Sequence, residues 1–223
     1  MDKKEIVTKI IEVVKPHLEE LGFSLKRSNC FEKKKNGSLY IYEIDVAKTS
    51  SRYSLHLKLR LQNKGIADGV NSVLKNVLTD PRMKYPNNFT AKTIAEILKA
   101  RTSNKDVYGL TDWRFFKHEE QSLEDFNNQF SIWFSVFENI EDKENWEFQL
   151  IESVGYAQKW FDLVDNAAYL IEHTDNVAMV LLKRRNDAYR LKNKYEEIYN
   201  REKSQNRDTT ELKLFYEHLL LEH

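Results

Sequence analysis

Hydrophobic residues recur at helical and strand-like spacings in the first 62 residues. Residues Lys3 to Leu21 carry apolar side chains at every third or fourth position, and Gly22 follows where a helix C-cap is common. Asn36-Gly37 then favours a two-residue hairpin turn. Around it, the pattern predicts three strands: Phe23–Lys35, Leu39–Lys48 and Arg52–Gln62.

The third predicted strand alternates along its whole length. Its apolar side carries Tyr53, Leu55, Leu57, Leu59 and Leu61, and its polar side carries Arg52, Ser54, His56, Lys58 and Arg60. This alternation is typical of an antiparallel sheet with one packed face and one wet face. Glu43 and Asp45 on the second strand then face either Lys58 and Arg60 or Lys33 and Lys35, in cross-strand pairs that contribute about 0.2–1 kcal/mol each.

The rest of the chain is mostly helical in pattern. A fourth strand is predicted at Thr111–His118, and Glu147–Glu152 fits either a short strand or a helical turn. The predicted helices are Ile66–Leu78, Ala91–Ala100, one capped by Ser122 that buries Phe126 to Ile140, Tyr156–His173, Asn176 to about Lys203, and Thr210–Leu221.

The predicted fold class is α+β, with an N-terminal helix on a small antiparallel sheet and a mostly helical C-terminal half. We expect an α+β domain over residues 1–118 and a helical region over residues 119–221. That region either packs on the domain or forms a second lobe. Residues 222–223 resemble the remnant of an expression tag.

Composition favours a cytoplasmic protein with a sizeable core. Hydrophobic residues make up 41% of the chain and only 6 Gly and 3 Pro occur, which argues against low complexity. No apolar run approaches the roughly 20 residues of a membrane span, so no membrane partner is expected. One cysteine, Cys30, excludes an internal disulfide and a Cys-rich zinc site, which fits a reducing compartment.

The net charge is zero, but the charges are segregated along the chain. Residues 23–64 hold ten basic against three acidic residues, residues 110–180 hold fifteen acidic against four basic, and residues 183–207 hold nine basic against four acidic. Basic and acidic segments either neutralise each other within the molecule or face charged partners.

Motifs for several kinds of chemistry are missing from the sequence. His118 begins a segment like a zinc-protease helix, but position 122 is serine where a second histidine is required. Cys30 has Arg27 and Lys33 nearby, which favours a lowered pKa, but no histidine stands in a fixed relation to it. No glycine-rich nucleotide-binding loop occurs. We therefore expect no cofactor, no metal ligand and no catalytic residue.

A magnesium-dependent nuclease is the enzymatic alternative. A helix followed by three antiparallel strands opens the restriction-endonuclease-like core, where clustered carboxylates and a lysine hold Mg²⁺ and orient water. The candidate residues are Glu20 (or Glu19) on the helix, Asp45 (or Glu43) on the second strand and Lys58 on the third. The third-strand carboxylate of that pattern is His56 in this chain, which weakens the match.

Nucleic-acid binding without catalysis is a related alternative. Tyr40, Tyr42 and Tyr53 lie among lysines and arginines, a combination that stacks bases in single-strand-binding proteins. Tyr40 and Tyr42 also share a strand face with Ile44 and Val46, which predicts that part of this face belongs to the core.

The N-terminal segment resembles a known bacterial family. The matching positions are Lys15, Pro16, Leu18, Leu21-Gly22-Phe23, Phe31, Lys33 and Val46 to Ser50, and the segments "TDWRFF" and "KWFDLVDN" are similar to later parts of the family. The family is catalogued as domain of unknown function 4304. The resemblance implies an α+β fold and no established activity, so it transfers no catalytic residues.

Together these observations predict a non-enzymatic protein-interaction or regulatory module with an unknown protein partner. We expect the acidic helical segment to be its contact surface. Nucleic acid is the second candidate partner, on the basic strands.

Overall fold

The computed structural model describes residues 1–111, 131–133 and 135–222. The chain begins with helix α1, Lys3–Glu20, followed by strands β1, Ser24–Arg27, β2, Cys30–Lys35, β3, Ser38–Thr49, and β4, Arg52–Asn63. Helices α2, Lys64–Thr79, and α3, Ala91–Thr102, precede strand β5, Asp106–Thr111. The C-terminal helices are α4, Trp146–Val164, α5, Ala167–His173, α6, Asn176–Arg184, α7, Ala188–Ser204, and α8, Thr210–Leu221.

The five strands form one antiparallel sheet in the order β1-β2-β3-β4-β5, so the predicted α+β class is confirmed. Asn36 and Gly37 both have positive φ, at 52° and 76°, as a two-residue hairpin turn requires. Asp2 and Glu5 form a capping box at the start of α1. In the described part of the chain, no helix combines the length and apolar character needed to cross a bilayer.

The sheet has one buried face, called the inner face, which carries Tyr40, Tyr42, Leu55 and Leu57. Helix α4 covers it, since the Phe161 ring lies edge-on to Tyr40 with centroids 5.3 Å apart. Helix α1 contacts β1, β3 and α4 through its own apolar stripe. Each large side chain buried here contributes about 1.5–3 kcal/mol relative to exposure. The opposite side, called the outer face, carries Glu43, Asp45, Lys58 and Arg60.

The chain divides into two compact units. Unit 1 comprises Met1–Gln62 and Tyr108–Asp165, and unit 2 comprises Asn63–Val107 and Asn166–His223. Within unit 2, α2 contacts α3, α6 and α8, and α6 contacts α5 and α7. The expected domain boundary between residues 118 and 119 lies outside the described residues.

The first predicted strand, Phe23–Lys35, is wrong as a single strand. It is a hairpin of β1 and β2, because the chain turns at Ser28-Asn29. The Asn29 side chain donates from Nδ2 to the Ile44 carbonyl oxygen at 2.8 Å, which fixes this turn against β3. Ser and Asn are residues that favour turns, so the signal is present in the sequence.

Two of the helices predicted from the sequence are wrong as single helices, because each is divided into two in the structure. Tyr156–His173 is broken at Asp165-Asn166, where Asn166 caps α5 by accepting a hydrogen bond from the Ala168 amide at 2.8 Å. Asn176–Lys203 is broken at Asn186-Asp187, where Asn186 has a φ of 53° and Asp187 accepts from the Arg190 amide at 3.0 Å. Each break falls on an Asn/Asp pair, the residues preferred at N-caps.

The remaining differences lie around β5. The predicted fourth strand, Thr111–His118, shares only Thr111 with the described residues, and the observed strand begins at Asp106. The helix predicted from Ser122 also lies mostly outside them. Its described end is not α-helical, because Ser131–Trp133 is a 3-10 turn and Phe137 forms a bridge with Tyr53. The segment Glu147–Glu152, left open between strand and helix, belongs to α4.

Candidate functional site

The candidate nuclease residues do not form one cluster. Asp45 accepts a hydrogen bond from Lys58 Nζ at 3.0 Å on the outer face, and Glu43 accepts one from Arg60 beside it. Glu20 is exposed at the last position of α1, which packs with α4 on the side of the inner face. Glu19 next to it is 3.8 Å from Lys15. The structure thus joins Asp45 to Lys58 and leaves Glu20 elsewhere.

The register of β2 and β3 decides between the two predicted sets of cross-strand pairs. Lys33 pairs with Tyr40 and Lys35 with Ser38, so both lysines lie on the inner-face side of the sheet. Glu43 pairs with Cys30 on the outer face and is therefore out of reach of these lysines. The pairs with Lys58 and Arg60 are the ones formed.

Lys33 and Lys35 have partners of their own. Lys35 Nζ is 2.8 Å from Asp165 Oδ2, and the Tyr40 hydroxyl donates to the other oxygen of this carboxylate. Both contacts lower the pKa of Asp165, with Lys35 the larger cause. Lys33 Nζ lies 5.6 Å above the Phe23 ring centroid. Both lysines therefore pack over the edge of the core.

The three tyrosines proposed to stack bases are all buried. Tyr40, Tyr42 and Tyr53 pack in the core, and the Tyr42 hydroxyl is 2.7 Å from Ser153 Oγ on α4. Burial raises the pKa of both Tyr40 and Tyr42. None of the three rings presents a face to a nucleic-acid base.

Cys30 and the histidines also lie in structural settings. Burial, and next the nearby Glu43 carboxylate, raise the pKa of the Cys30 thiol and outweigh the lowering effect of Arg27, so the net shift is opposite to the lowering considered from Arg27 and Lys33. His56 Nε2 is 3.1 Å from Ser54 Oγ, and His17 is half-buried on α1. His118 lies outside the described residues. Among the described residues, no group of three or more His, Cys, Asp or Glu is arranged to hold a metal ion.

The outer face carries the candidate strand residues as two neighbouring ion pairs, Lys58–Asp45 and Arg60–Glu43. Asp45 and Glu43 are half-buried, and each accepts a hydrogen bond from a cation through one carboxylate oxygen. Such pairs on a partly solvated surface contribute about 0–1 kcal/mol each. These pairs can stabilise the sheet, and among the described residues this face shows no cluster of three or more carboxylates that could hold Mg²⁺.

A groove lies between α1 and β1 on the surface of unit 1. Its volume is about 660 Å³, within the roughly 300–1,000 Å³ range of ligand sites, and we call it the α1–β1 groove. Its floor is apolar and its rim is basic: the lining includes Val7, Ile11 and Leu25, and Lys3, Lys4 and Lys15. Val7 and Ile11 are half-buried and Leu25 is 36% exposed.

The groove forms because the apolar stripe of α1 is wider than the part of it that the rest of unit 1 covers. Ile6, Ile10 and Val14 are buried, whereas Val7 and Ile11 lie one position further round the helix and are only partly covered. β1 is short, so its single inward leucine, Leu25, does not fill the space beside them. Apolar side chains on two elements therefore remain in contact with water.

Most of the cations near the groove have no ion-pair partner among the described residues, and Lys15 has only Glu19, at 3.8 Å. Lys3 and Lys4 form no ion pair with any residue of the described part, and neither do Lys26 and Arg27 on β1. Glu12 is the one acidic residue among the described lining residues. The surface around the groove is therefore positively charged, in contrast to the Lys58–Asp45 and Arg60–Glu43 pairs of the outer face.

A second depression, of about 440 Å³, lies in unit 2 among α5, α6 and α7. It contains Lys194, which is only 7% exposed. Its Nζ donates to the Glu172 carbonyl oxygen at 3.0 Å and to Glu197 Oε1 at 3.0 Å. These bonds satisfy the ammonium group and join α7 to the end of α5. We therefore interpret this depression as a result of helix packing, and the candidate site remains the α1–β1 groove.

The groove was not predicted from the sequence. The sequence does contain one sign of the groove: Val7 and Ile11 are apolar, and they widen the hydrophobic stripe of α1 beyond what one buried face needs. The acidic segment expected to be the contact surface is divided, because residues up to Asp165 belong to unit 1 and those from Asn166 belong to unit 2.

No protein-family model, no curated protein and no solved structure matches this chain. The resemblance to domain of unknown function 4304 consequently stays a prediction.

Proposed function

We propose that this protein is a non-enzymatic protein-interaction or regulatory module that binds a protein partner in the α1–β1 groove. One observation carries the proposal: apolar side chains of α1 and β1 are partly exposed side by side beneath a rim of lysines that form no ion pair, or only a distant one, with the described residues. A partner that covers the apolar part of this surface removes it from water, which lowers the free energy of the complex.

The state of the reactive groups supports a non-enzymatic role. Asp45 and Glu43 are held by Lys58 and Arg60, and the pKa of the buried Cys30 thiol is raised, which keeps it protonated at neutral pH. A catalytic group must instead be accessible and poised to exchange a proton or attack a substrate. The free thiol also fits the cytoplasm, which we propose as the compartment.

The chemistry of the groove defines the partner. An apolar floor selects apolar side chains, and the rim of Lys3, Lys4 and Lys15 selects acidic ones. Complementary charges of this kind raise the rate of encounter and exclude wrong partners more than they add affinity. We infer a partner segment that is both acidic and apolar, so a hydrophilic anion alone would bind weakly.

The proposal is tested with a fluorescein-labelled octapeptide of four glutamates and four valines, prepared in several residue orders. Fluorescence anisotropy would compare wild-type protein with the Lys3→Glu/Lys4→Glu/Lys15→Glu variant. We expect at least one order to bind the wild-type protein, and the variant to bind it at least tenfold more weakly. Binding should also weaken between 50 and 300 mM salt, because exposed charges are screened.

A matched control separates the groove from the overall charge. The Lys75→Glu/Lys92→Glu/Lys99→Glu variant changes the same total charge at exposed positions of α2 and α3. It should bind the peptide within about threefold of the wild-type protein. Equal losses in both variants, absence of binding by every residue order, or equal binding of a single-stranded DNA oligonucleotide would each overturn the proposal.

A further inference from the structure

The edge of the sheet beside the groove is open. β1 is the terminal strand and pairs only with β2 among the described residues. All four residues of β1 are exposed, and no hydrogen bond outside the β1–β2 pairing involves their main chain in the described part of the molecule. An edge strand presents backbone N–H and C=O groups that can pair with another chain.

The side chains of β1 face two chemical environments, with a pairing irregularity between Leu25 and Arg27. Leu25 pairs with Phe31 and points to the helix side, where it lines the α1–β1 groove. Arg27 pairs with Cys30, whose partner in β3 is Glu43, so Arg27 lies on the outer face. A strand added next to β1 would therefore meet apolar groups on one side and basic groups on the other.

A second copy of β1 is a poor occupant of this edge. The strand has only four residues, its pairing is irregular between Leu25 and Arg27, and it carries Lys26 and Arg27. Two such edges would place like charges together, a device that natural sheets use against self-association. The same cations attract a strand of opposite charge.

The dimensions fit a short extended segment. The lining residues of α1 run from Lys3 to Lys15, about 18 Å at 1.5 Å per residue. An extended strand covers this length with about five or six residues. A helix of the same length would need about twelve residues, and it would leave the main chain of β1 unpaired.

We propose that the partner binds as an extended strand added to the edge of β1, with apolar side chains in the α1–β1 groove, acidic side chains toward Arg27 on the outer side, and its net negative charge attracted by the rim lysines of α1. This inference rests on the proposed function, since it specifies how the same groove is filled. Backbone pairing supplies affinity and the alternating side chains supply specificity, as in other cases of strand addition.

Residue order provides the first test. The octapeptide Glu-Val-Glu-Val-Glu-Val-Glu-Val places its valines on one side of a strand, whereas Glu-Val-Val-Glu-Glu-Val-Val-Glu has the same composition with helical spacing. We expect the alternating order to bind the wild-type protein at least tenfold more tightly. Equal or reversed affinities would overturn strand addition and leave the proposed function standing.

Backbone methylation provides the second test. Only alternate N–H groups of an added strand face β1, because neighbouring groups point to opposite edges. We therefore compare two isomers of the alternating peptide, one N-methylated at the glutamates and one at the valines. Only one of them has its methyl groups on the N–H groups that face β1. One isomer should bind at least tenfold more weakly and the other within about threefold of the parent. Equal affinities of the two isomers would overturn the inference.

The two proposals fail in distinguishable ways. If no peptide shows binding that depends on Lys3, Lys4 and Lys15, the proposed function fails and the strand inference fails with it. If peptides bind with this dependence but ignore residue order or methylation, only the strand inference fails. The wild-type protein is used in both tests of binding mode, so loss of folding in a variant does not affect them.

Discussion

The hydroxyl group of Tyr42 sits in the core between the sheet and α4. Ser153 Oγ donates its single proton to the Leu150 carbonyl oxygen at 2.6 Å, so the Tyr42 hydroxyl donates to Ser153 Oγ at 2.7 Å. The chain of bonds satisfies every group in it. Ser153 keeps its acceptor, the Leu150 carbonyl oxygen, when Tyr42 is changed, whereas the Tyr42 hydroxyl loses its acceptor when Ser153 is changed.

Mutation of Ser153 should therefore cost more than mutation of Tyr42 to phenylalanine. Tyr42→Phe removes one hydrogen bond and leaves Ser153 satisfied, at a cost of about 0.5–1.5 kcal/mol. Ser153→Ala leaves a buried hydroxyl without its acceptor, at a cost of about 1–3 kcal/mol. Urea denaturation of both variants would measure this, and a larger loss in Tyr42→Phe would contradict the assigned direction.

A second prediction concerns the carboxylate of Asp165, whose pKa is lowered by Lys35 and then by Tyr40. A carboxyl pKa that is lower in the folded state than its unfolded value of about 3.9 adds stability above that value. The contribution is lost as the pH falls through about 4 toward the lowered folded pKa. Wild-type protein should thus lose stability more steeply between pH 5 and pH 3 than Asp165→Asn.

Denaturant midpoints at several pH values would measure this slope. The Lys35→Met variant, which keeps the carboxylate and removes its cation, should also show a shallower slope than the wild-type protein. The same steepness in all three proteins would show that Asp165 does not contribute to the acid sensitivity.

At the scale of the element, glycine has opposite effects in a turn and in a helix. Gly37 has a φ of 76° in the β2–β3 turn, a conformation that costs a residue with a Cβ roughly 1–2 kcal/mol. Gly155 lies inside α4, and a Cβ there would meet nothing within 4 Å. Its backbone is helical, so glycine only weakens the helix.

Gly37→Ala should therefore destabilise the protein by about 1 kcal/mol, and Gly155→Ala should stabilise it by about 0.5–1 kcal/mol. The two substitutions are chemically identical, so each serves as the control for the other. Thermal and urea denaturation would check them. A change of the same sign at both positions would contradict the turn and helix assignments of these glycines.

Elements with strong local signals were predictable from the sequence. α1 has a regular apolar stripe, β4 alternates strictly, and the Asn36-Gly37 turn is encoded by two residues. The Ser28-Asn29 turn has only a weak local signal, two turn-favouring residues, and is fixed by the bond from Asn29 to Ile44 in another strand, which the sequence does not show. The candidate site was missed for a related reason: it joins residues of α1 and β1 that are apart in sequence, and burial of Val7 cannot be read from α1 alone.

At the scale of the whole molecule, neither compact unit is a continuous segment. Unit 1 takes strands β1 to β4 from the first 62 residues, most of β5 from the segment that begins at Tyr108, and its cover, α4, from residues 146–164. Ser153 and Phe161 of α4 are the partners of Tyr42 and Tyr40 on the inner face. All five strands therefore precede, along the chain, the helix that closes their core.

A fragment of residues 1–118 should consequently fail to fold on its own. Without α4, the aromatic side chains of the inner face remain exposed to water, which removes much of the hydrophobic stabilisation. Circular dichroism and dye binding would show a noncooperative thermal transition and exposed apolar surface, with the full chain as control. A cooperative transition in the fragment would contradict the role assigned to α4.

The division of unit 1 along the chain has a consequence for biosynthesis. The strands up to Gln62 leave the ribosome about one hundred residues before Asp165 does. At roughly 5–20 residues per second, translation takes about 5–20 seconds to deliver the missing helix. During that interval we expect the nascent chain to be a client for chaperones, and crosslinking on stalled ribosomes should show this contact ending once α4 has emerged.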